Sequence, residues 1–419
     1  MEDKSSVIFG NTIPASVVKK AEKAQKKYIK KFGDDRNKAY HLSADDNEVL
    51  SPCMGVKVFH LSDKALASLP EKPLIIGNIR MGFGHYRISM AMASCARAMG
   101  FTPLWLDLNS FPETTCTKII GAQNDLYSKA SRISQKSKLF NKFVWEPLNY
   151  TGFKKLTYNC GDQKNAELMV PLFTDLPKDT PYIATHVWPS QAAIHAGMTH
   201  VVNAIPDNWP MALHLSEGAL HTVQTPNAYF GYRTLSGFDE KKVLHPMGKD
   251  DIAFTGHYID HEMVVNAESD CEARIKRMKN GKPVRFLLSI GGAGAQGDYF
   301  AGLIRTLIPY IKEKKAVLYL NVGDYEKVWE MFREKIPGIE NLSVTHFNDW
   351  NATKKFCSDA MNDSECTSDV SNGIHVFCHK DIFAAVYATN LLIRASDILM
   401  TKPSELAFYP VPKLIIQHV

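Results

Sequence analysis

Short apolar runs alternate with amphipathic segments along most of the chain, which is the pattern of strands alternating with helices. The clearest unit begins with the apolar run 74–79, which predicts a buried strand. A loop, 80–87, follows, and residues 88–99 then place apolar side chains at helical spacing ahead of Gly100, a natural helix end. Another apolar run, 101–108, predicts the next strand. We therefore expect a βαβ unit, from which parallel sheets are built.

The same alternation extends over the rest of the chain. Further strands are predicted near residues 56–59, 182–186, 200–205, 222–225, 254–257, 284–290, 316–322, 342–345, 397–400 and 413–417, and helical segments near 15–31, 110–160, 190–196, 300–311 and 381–394. The predicted fold class is therefore α/β.

Two halves of the sequence each open on a strand, a glycine-containing loop and a helix. This repetition predicts a first domain over residues 1–258, a polar linker over 259–281 and a second domain over 282–419. Residues 351–380 are polar and interrupt the alternation, so we expect a loosely ordered insertion there.

Composition is that of an ordinary globular protein. The 419 residues are 45% hydrophobic and 22% charged, and the net charge of +5 fits an anionic substrate or an acidic membrane surface without requiring either. No apolar stretch approaches the ~20 residues of a membrane span, and the eight cysteines form no paired framework. We expect reduced cysteines in a cytoplasmic protein, free or peripheral on the inner face of the membrane, with no nucleic-acid partner.

The first candidate site is the loop Gly82-Phe83-Gly84-His85, which follows the predicted strand 74–79. Ligands of open α/β sheets bind at the carboxyl ends of strands. Glycines let the backbone approach a ligand, and the free N–H groups at a helix start favour anions. A neutral His85 would serve there as a general base. The alternative is that the glycines only form a turn and His85 caps the helix.

The second candidate site is the loop 291–297, which has four glycines in seven residues ahead of a clear helix. This composition favours a turn that holds a phosphate or diphosphate on backbone N–H groups. A purely structural turn rarely needs so many glycines.

Two basic segments are candidates for contact with an anionic surface. Residues 15–31 form an amphipathic helix with seven lysines, and residues 127–145 combine lysine and arginine with aromatic side chains. Either segment would suit anionic lipid. The alternative for both is a solvated helix that packs on its domain through the apolar stripe, which is the ordinary case for 15–31.

Five motifs follow one another over residues 74–417, most of the chain. They are Gly82-Phe83-Gly84-His85, Pro206-Asp207, Thr255-Gly256-His257-Tyr258, Gly291 to Gly294, and Thr401-Lys402-Pro403-Ser404-Glu405, whose glutamate precedes Pro412 by seven residues. Their order and spacing resemble the two-domain GT-B glycosyltransferases. The branch that they resemble joins the bacterial lipid II N-acetylglucosaminyltransferase with the monogalactosyldiacylglycerol synthases and processive diacylglycerol glucosyltransferases.

The resemblance implies two Rossmann-like domains that face a cleft, and transfer of a sugar from a nucleoside-diphosphate donor, a UDP-sugar, to a lipid or lipid-linked acceptor. It implies His85 as the base, in a cleft lined by Gly82, Phe83, Gly84, Asp207 and Asn208. It implies a donor site of Gly291, Gly292, Ala293, Gly294, Thr401, Lys402, Ser404 and Glu405. Glu405 would accept hydrogen bonds from the ribose hydroxyls. No metal or cofactor is implied, because loop N–H groups and a helix dipole stabilise the leaving diphosphate.

Three departures from the family pattern bear on these expectations. The segment between Lys402 and Glu405 is shorter than the family's glycine-rich version, and residues 351–380 have no counterpart. The sequence also ends on a strand at Val419, where the family continues with helices, so we expect an incomplete second domain.

These departures keep two alternatives open: a UDP-sugar 2-epimerase of the same architecture, and a non-catalytic nucleotide-sugar-binding protein. Five cysteine and histidine residues within the predicted insertion 351–380 could suggest a zinc site. They are Cys357, Cys366, His375, Cys378 and His379. Their spacing matches no common zinc template, and no metal site is expected.

Overall fold

The computed structural model describes residues 4–290, 297–401 and 411–415. The chain divides into two units, residues 1–257 and 258–419. In each unit helices accompany a largely parallel sheet, so the predicted α/β class is confirmed.

The first unit follows the predicted alternation closely. Its elements are β1 (Val7–Ile8), β2 (Asn11–Thr12), α1 (Ala15–Phe32), β3 (His41–Asp46), α2 (Ser51–Met54), β4 (Lys57–Ser62), β5 (Pro73–Asn78), α3 (Phe83–Ala98), β6 (Thr102–Asp107), α4 (Thr115–Lys136), α5 (Lys138–Phe140), two π-helical turns (Asn141–Trp145 and Leu148–Gly152), α6 (Leu156–Ala166), β7 (Tyr182–Ala184), α7 (Val187–His195), β8 (Val201–Ala204), β9 (Leu220–Val223), α8 (Pro226–Thr234) and β10 (Ile252–Phe254). Short 3-10 helices lie at Val170–Phe173 and Ala212–His214.

Eight strands of this unit form one sheet in the order β10-β9-β8-β7-β5-β6-β4-β3. All neighbours are parallel except β3, which pairs antiparallel with β4 at the edge. β5 is central and buried on both faces, which explains its continuous apolar run. The carboxyl ends of β5, β7 and β8 therefore meet at one edge of the sheet.

The sequence predicted one strand between residues 32 and 73, and the structure has two. The missed strand, β3, buries only Leu42 and ends on two aspartates. Edge strands often carry such charges, which remove the alternation on which prediction depends.

The basic helix α1 packs on its own unit. Val17 and Val18 contact one apolar core, and Tyr28, Ile29 and Phe32 contact a second. Its apolar stripe is thus largely covered by protein, and its lysines face outward.

The second unit contains the following described elements. They are α9 (His261–Val265), α10 (Ala267–Lys279), β11 (Val284–Ser289), α11 (Gly297–Lys312), β12 (Ala316–Asn321), α12 (Glu326–Lys335), β13 (Ser343–Phe347), α13 (Trp350–Asn362), β14 (Ile374–Cys378), α14 (Ile382–Ala395), β15 (Ile398–Thr401) and β16 (Lys413–Ile415), with short 3-10 helices at Ile339–Leu342 and Asp369–Ser371. The described strands are parallel and lie in the order β13-β14-β12-β11-β15-β16.

The predicted insertion 351–380 is wrong. Residues 350–362 form α13, and β14 lies between β13 and β12 with all five of its residues buried. Residues 363–373, which lead into β14, are polar and interrupt the apolar pattern. The five-residue central strand that follows them was therefore not predicted.

The predicted linker 259–281 carries α9 and α10 of the second unit. Arg274 on α10 donates to the carbonyls of Ile393 and Ser396 at the end of α14. Arg277 pairs with Asp397 at 2.6 Å, and both side chains are 2% exposed. The charged residues of this segment therefore include buried arginines, which bond to groups at the carboxyl-terminal end of α14 and just after it.

Within the described residues, no helix combines the length and the apolar character needed to cross a bilayer.

Candidate functional site

The candidate site of the first unit lies where three parallel strands end. His85 is in the first turn of α3, which follows β5. His186 follows β7 and caps α7, and Asp207 follows β8. Because β5, β7 and β8 are neighbours in the sheet, these residues come to the same edge.

The start of α3 is set by Gly82. Its φ of 100° lies in the left-handed region, which glycine adopts without a Cβ penalty, and no side chain caps the helix. A Cβ at Gly82 or Gly84 would meet no described atom within 4 Å. The glycines therefore leave open space over a helix N-terminus, and the conformation at Gly82 alone requires glycine.

A buried polar ladder lies beneath His85. Asn78 Nδ2 donates to Ser89 Oγ at 3.1 Å, and Ser89 Oγ is 2.8 Å from Thr185 Oγ1. The Thr185 N–H donates to the Gly77 carbonyl at 2.9 Å. These contacts between β5, α3 and the end of β7 fix the main chain at Thr185. At Gly77 any Cβ would overlap the Tyr182 side chain, so the ladder also depends on that glycine.

The Thr185 carbonyl determines the tautomer of His85. His85 Nδ1 is 2.7 Å from this oxygen, which can only accept, so Nδ1 carries the proton and Nε2 presents its lone pair. Burial lowers the pKa of His85, against the raising effects of the Thr185 carbonyl and the Asp207 charge. His85 is therefore neutral at pH 7, with Nε2 able to accept a proton.

His186 packs edge-on against His85, with ring centroids 4.9 Å apart. Its Nδ1 accepts from the Trp188 N–H at 3.1 Å, so the neutral ring carries its proton on Nε2. Burial and the two neighbouring histidines, His85 and His214, lower the pKa of His186 well below its usual value. The ring thus acts as an uncharged wall beside His85.

Asp207 supplies the negative charge of the site. Its Oδ2 is 3.1 Å from Nε2 of the buried His214, while more than half of the carboxylate side chain is exposed. Burial raises the pKa of Asp207, but the adjacent His214 and the nearby His85 outweigh that effect, and the net pKa is lowered. His214 is held in turn because Asn203 Nδ2 on β8 donates to its carbonyl at 2.7 Å.

The structure places His85 and Asp207 at the same edge of the sheet, and the charge of Asp207 acts on His85. Gly82 and Gly84 shape the loop, Phe83 is buried beneath it, and Asn208 is exposed beside Asp207. Sequence reasoning missed His186, Thr185 and His214. The position of His186 at the end of a predicted strand was a usable signal, whereas nothing in the sequence relates His214 to Asp207.

The corresponding edge of the second unit also carries a buried polar ladder. Asn321 Nδ2, at the end of β12, donates to Thr389 Oγ1 at 2.8 Å and to the Ala385 carbonyl at 3.0 Å. Thr389 Oγ1 is 3.3 Å from Ser289 Oγ, at the end of β11. This ladder ties α14 to β12 and to β11, the strand that precedes the candidate segment 291–294.

Most of the predicted donor site lies outside the described residues. That holds for Gly291, Gly292, Ala293, Gly294, Lys402, Ser404 and Glu405. The described elements that flank these residues are β11, which ends at Ser289, α11, which begins at Gly297, and β15, which ends at Thr401. β11 and β15 are parallel neighbours, so both segments start from the same edge of the sheet.

In the described part of the chain, no group of three or more His, Cys, Asp or Glu side chains is arranged to hold a metal ion. All eight cysteines are free thiols.

Comparison with known proteins gives two family matches. A family model described as Domain of unknown function (DUF6937) matches residues 7–234, and one described as Domain of unknown function (DUF6938) matches residues 247–419. No curated protein and no solved structure matches the chain. Because the first match covers more than half of the 419 residues, the chain belongs to the family described as Domain of unknown function (DUF6937).

Proposed function

We propose that the protein transfers a sugar from a nucleoside-diphosphate donor, a UDP-sugar, to a hydroxyl group of a lipid or lipid-linked acceptor. The observation that carries this proposal is the state of His85: its Nδ1 is engaged by the Thr185 carbonyl, and its Nε2 is left as an acceptor at a ligand-binding edge. A neutral imidazole fixed in this way is suited to general-base catalysis.

In the proposed reaction, His85 Nε2 takes the proton of the acceptor hydroxyl. The oxygen attacks the anomeric carbon, and the bond from that carbon to the diphosphate breaks, so that the nucleoside diphosphate leaves with the electron pair. Asp207 would stabilise the imidazolium that forms, because its charge already favours the protonated form of His85. His186 would keep the ring in place from the other side.

The donor would bind the second unit, in a GT-B arrangement of the two units around a cleft. The parallel pairing of β11 and β15 supports a donor site in the second unit, since the segments 291–294 and 402–405 follow strands that end at one edge. Backbone N–H groups of Gly291 to Gly294 would hold the diphosphate, and Glu405 would hold the ribose. Thr401, Lys402 and Ser404 would complete that site.

The proposal is tested by incubating the protein with radiolabelled UDP-sugars and a lipid extract. We expect label in a lipid product, and loss of about 10²- to 10⁴-fold in rate for His85→Asn, the range that a general base contributes. Asparagine keeps an N–H for the Thr185 carbonyl but has no basic nitrogen. Epimerised UDP-sugar without transfer would instead identify a 2-epimerase, and binding without turnover a nucleotide-sugar-binding protein.

A second measurement separates the donor and acceptor sides. Calorimetry with UDP should show at least about tenfold weaker binding for Glu405→Ala, because charged hydrogen bonds contribute about 1.5–3 kcal/mol each and 1.4 kcal/mol is tenfold. His85→Asn should bind UDP like the parent protein. Unchanged UDP affinity of Glu405→Ala, or loss of affinity only in His85→Asn, would contradict the assignment.

A further inference from the structure

Residues 126–150 form an ordered surface segment that exposes large apolar side chains. Leu126, Leu139, Phe143 and Tyr150 have exposed fractions of 68%, 72%, 67% and 64%. Such a concentration of apolar surface is unusual on a protein that does not bind something there. We call residues 126–150 the docking segment.

The exposure is built into the local fold. α4 ends at Lys136, and the side chain of the next residue, Ser137, accepts from the Phe140 N–H and caps the start of α5. Two π-helical turns follow. The Tyr127 and Trp145 rings, 5.0 Å apart, hold the π-helical part against α4. The outward apolar side chains are therefore held in place by the segment itself, and π-helical turns are often found at functional sites.

The charge of the docking segment is positive. Residues 126–150 include five lysine and arginine residues and a single acidic residue, Glu146. Glu146 already accepts a hydrogen bond from Asn141. Lys129, Lys138 and Lys142 are exposed, and Lys142 Nζ lies 5.7 Å from the centre of the Phe143 ring. Cations among exposed leucine and aromatic side chains match an anionic lipid interface, where the rings and aliphatic groups enter the headgroup layer.

The docking segment is connected to the candidate site. The Leu213 N–H, next to His214, donates to the Phe153 carbonyl at 3.1 Å, just after the last π-helical turn. Lys154 Nζ lies 5.7 Å from the centre of the Trp209 ring, two residues after Asp207. The charge of Asp207 also reaches Tyr127, whose pKa is raised by burial and by that charge. A surface that rests on this segment would thus lie beside His85 and Asp207.

We infer that the docking segment places the protein on an anionic lipid bilayer, with the edge that carries His85 beside the headgroups. α1 is basic as well, but its apolar stripe packs against the protein cores, so it can offer only charge. The docking does not rest on the proposed function. The further idea that an acceptor reaches His85 directly from the bilayer does rest on it.

The test is sedimentation of the full chain with vesicles of phosphatidylcholine, with or without phosphatidylglycerol, in the absence of any sugar donor. We expect binding to the anionic vesicles that decreases with salt. The double variant Leu139→Ser/Phe143→Ser should bind at least about tenfold more weakly, since each fully buried apolar side chain contributes about 1.5–3 kcal/mol and 1.4 kcal/mol is tenfold. Lys138→Gln/Lys142→Gln should also bind at least about tenfold more weakly, at about fivefold per lysine.

Matched controls lie elsewhere on the first unit. Met99→Ser removes a side chain that is 74% exposed at the far end of α3, and Lys23→Gln/Lys26→Gln removes two exposed charges from α1. Both controls should bind within about threefold of the parent protein, because apolar contact and charge must occur together. No binding by the parent, or an equal loss in the controls, would overturn the inference.

A second copy of the chain is the competing occupant of this surface. Sedimentation velocity without lipid should show the same oligomeric state for the parent and for Leu139→Ser/Phe143→Ser. A dimer that this variant dissociates, together with vesicle binding that the variant does not change, would overturn the inference. Because no sugar is present, neither result depends on whether the protein transfers sugars.

Discussion

The two units bury comparable polar side chains but leave them in different states. In the first unit, the ladder Asn78–Ser89–Thr185 leads to His85, whose Nε2 has no partner among the described residues. In the second unit, buried polar groups are largely bonded to one another. Burial therefore serves two purposes here, which are to hold the fold and to prepare a reactive atom.

The arginines of the second unit illustrate the first purpose. The buried guanidinium of Arg285 donates to the carbonyls of Ala360, Ala395 and Asp363 and to Ser371 Oγ. Asp397 accepts from Arg277 and, at 2.8 Å, from the Arg285 N–H. Most of the donors of these arginines are thus bonded to protein atoms where α13 and α14 end, although the buried Arg285 Nε has no hydrogen-bond partner among the described residues.

If the buried polar groups of the second unit hold its fold, the largest loss of stability should come from a substitution at Asp397. Asp397→Asn should lower the free energy of unfolding by about 3–5 kcal/mol, because it leaves the Arg277 charge buried and unpaired. Urea unfolding followed by tryptophan fluorescence measures this. The control is Lys355→Gln, which removes an exposed ion pair with Asp359 and should cost less than about 1 kcal/mol. Equal effects of the two changes would contradict this account of the second unit.

A smaller loss of stability is expected on lowering the pH, through His375, a buried residue of β14. Its Nε2 donates to the Asp369 and Asn372 carbonyls, and its Nδ1 is 3.2 Å from His346 Nε2. Burial, together with His346, lowers the pKa of His375 to about 4. Between about pH 6.5 and pH 4 the unfolded chain binds a proton that the native state does not, so stability falls as the pH falls.

At pH 5 this group alone should cost about 2 kcal/mol relative to pH 7. His375→Gln should remove that part of the pH dependence, as measured by urea unfolding at the two pH values. Asp162, whose pKa burial raises to about 7, acts in the opposite direction. Because parent and variant share it, it cancels in the difference, and an unchanged pH dependence in the variant would refute the prediction.

The two ladders offer the most direct comparison. Ser89→Ala removes the hydroxyl that accepts from Asn78 Nδ2 and contacts Thr185 Oγ1. Thr389→Val removes the hydroxyl that accepts from Asn321 Nδ2. Each should cost about 1–3 kcal/mol, the penalty for a buried polar group left unsatisfied. Only Ser89→Ala should also reduce sugar transfer, since Thr185 positions His85. A similar decrease in sugar transfer for Thr389→Val would contradict the view that only the ladder of the first unit prepares a reactive group.

The smallest effect on stability is expected at His85 itself. His85→Asn should change the free energy of unfolding by less than about 1 kcal/mol, because the side chain is only partly buried and asparagine keeps a donor for the Thr185 carbonyl. The same variant should show the largest loss of transfer. A loss of stability as large as that of Asp397→Asn would place His85 among the structural groups.

Much of this architecture was predictable from the sequence. Strands such as β5, β11 and β12 are continuous apolar runs bounded by turns, and α1, α3 and α11 have clear helical spacing, so local pattern determines them. The strand-end rule then placed His85 at a candidate ligand-binding position, and the family resemblance added Asp207 to the same candidate site. β3 and β14 were missed because an edge strand with aspartates and a short central strand after a polar turn lack such a pattern.

The sequence by itself therefore determined the α/β class, most elements and the candidate base. Tertiary structure decided which nitrogen of His85 is free, that His214 meets Asp207, and that α1 covers its apolar stripe while the docking segment exposes its own. The physical reason is that periodicity reports which residues share a face of one element. It does not report what lies against that face. Hydrogen-bond partners that are far apart in the sequence, such as His85 and Thr185 at a separation of 100 residues, are brought together only by the packing of strands.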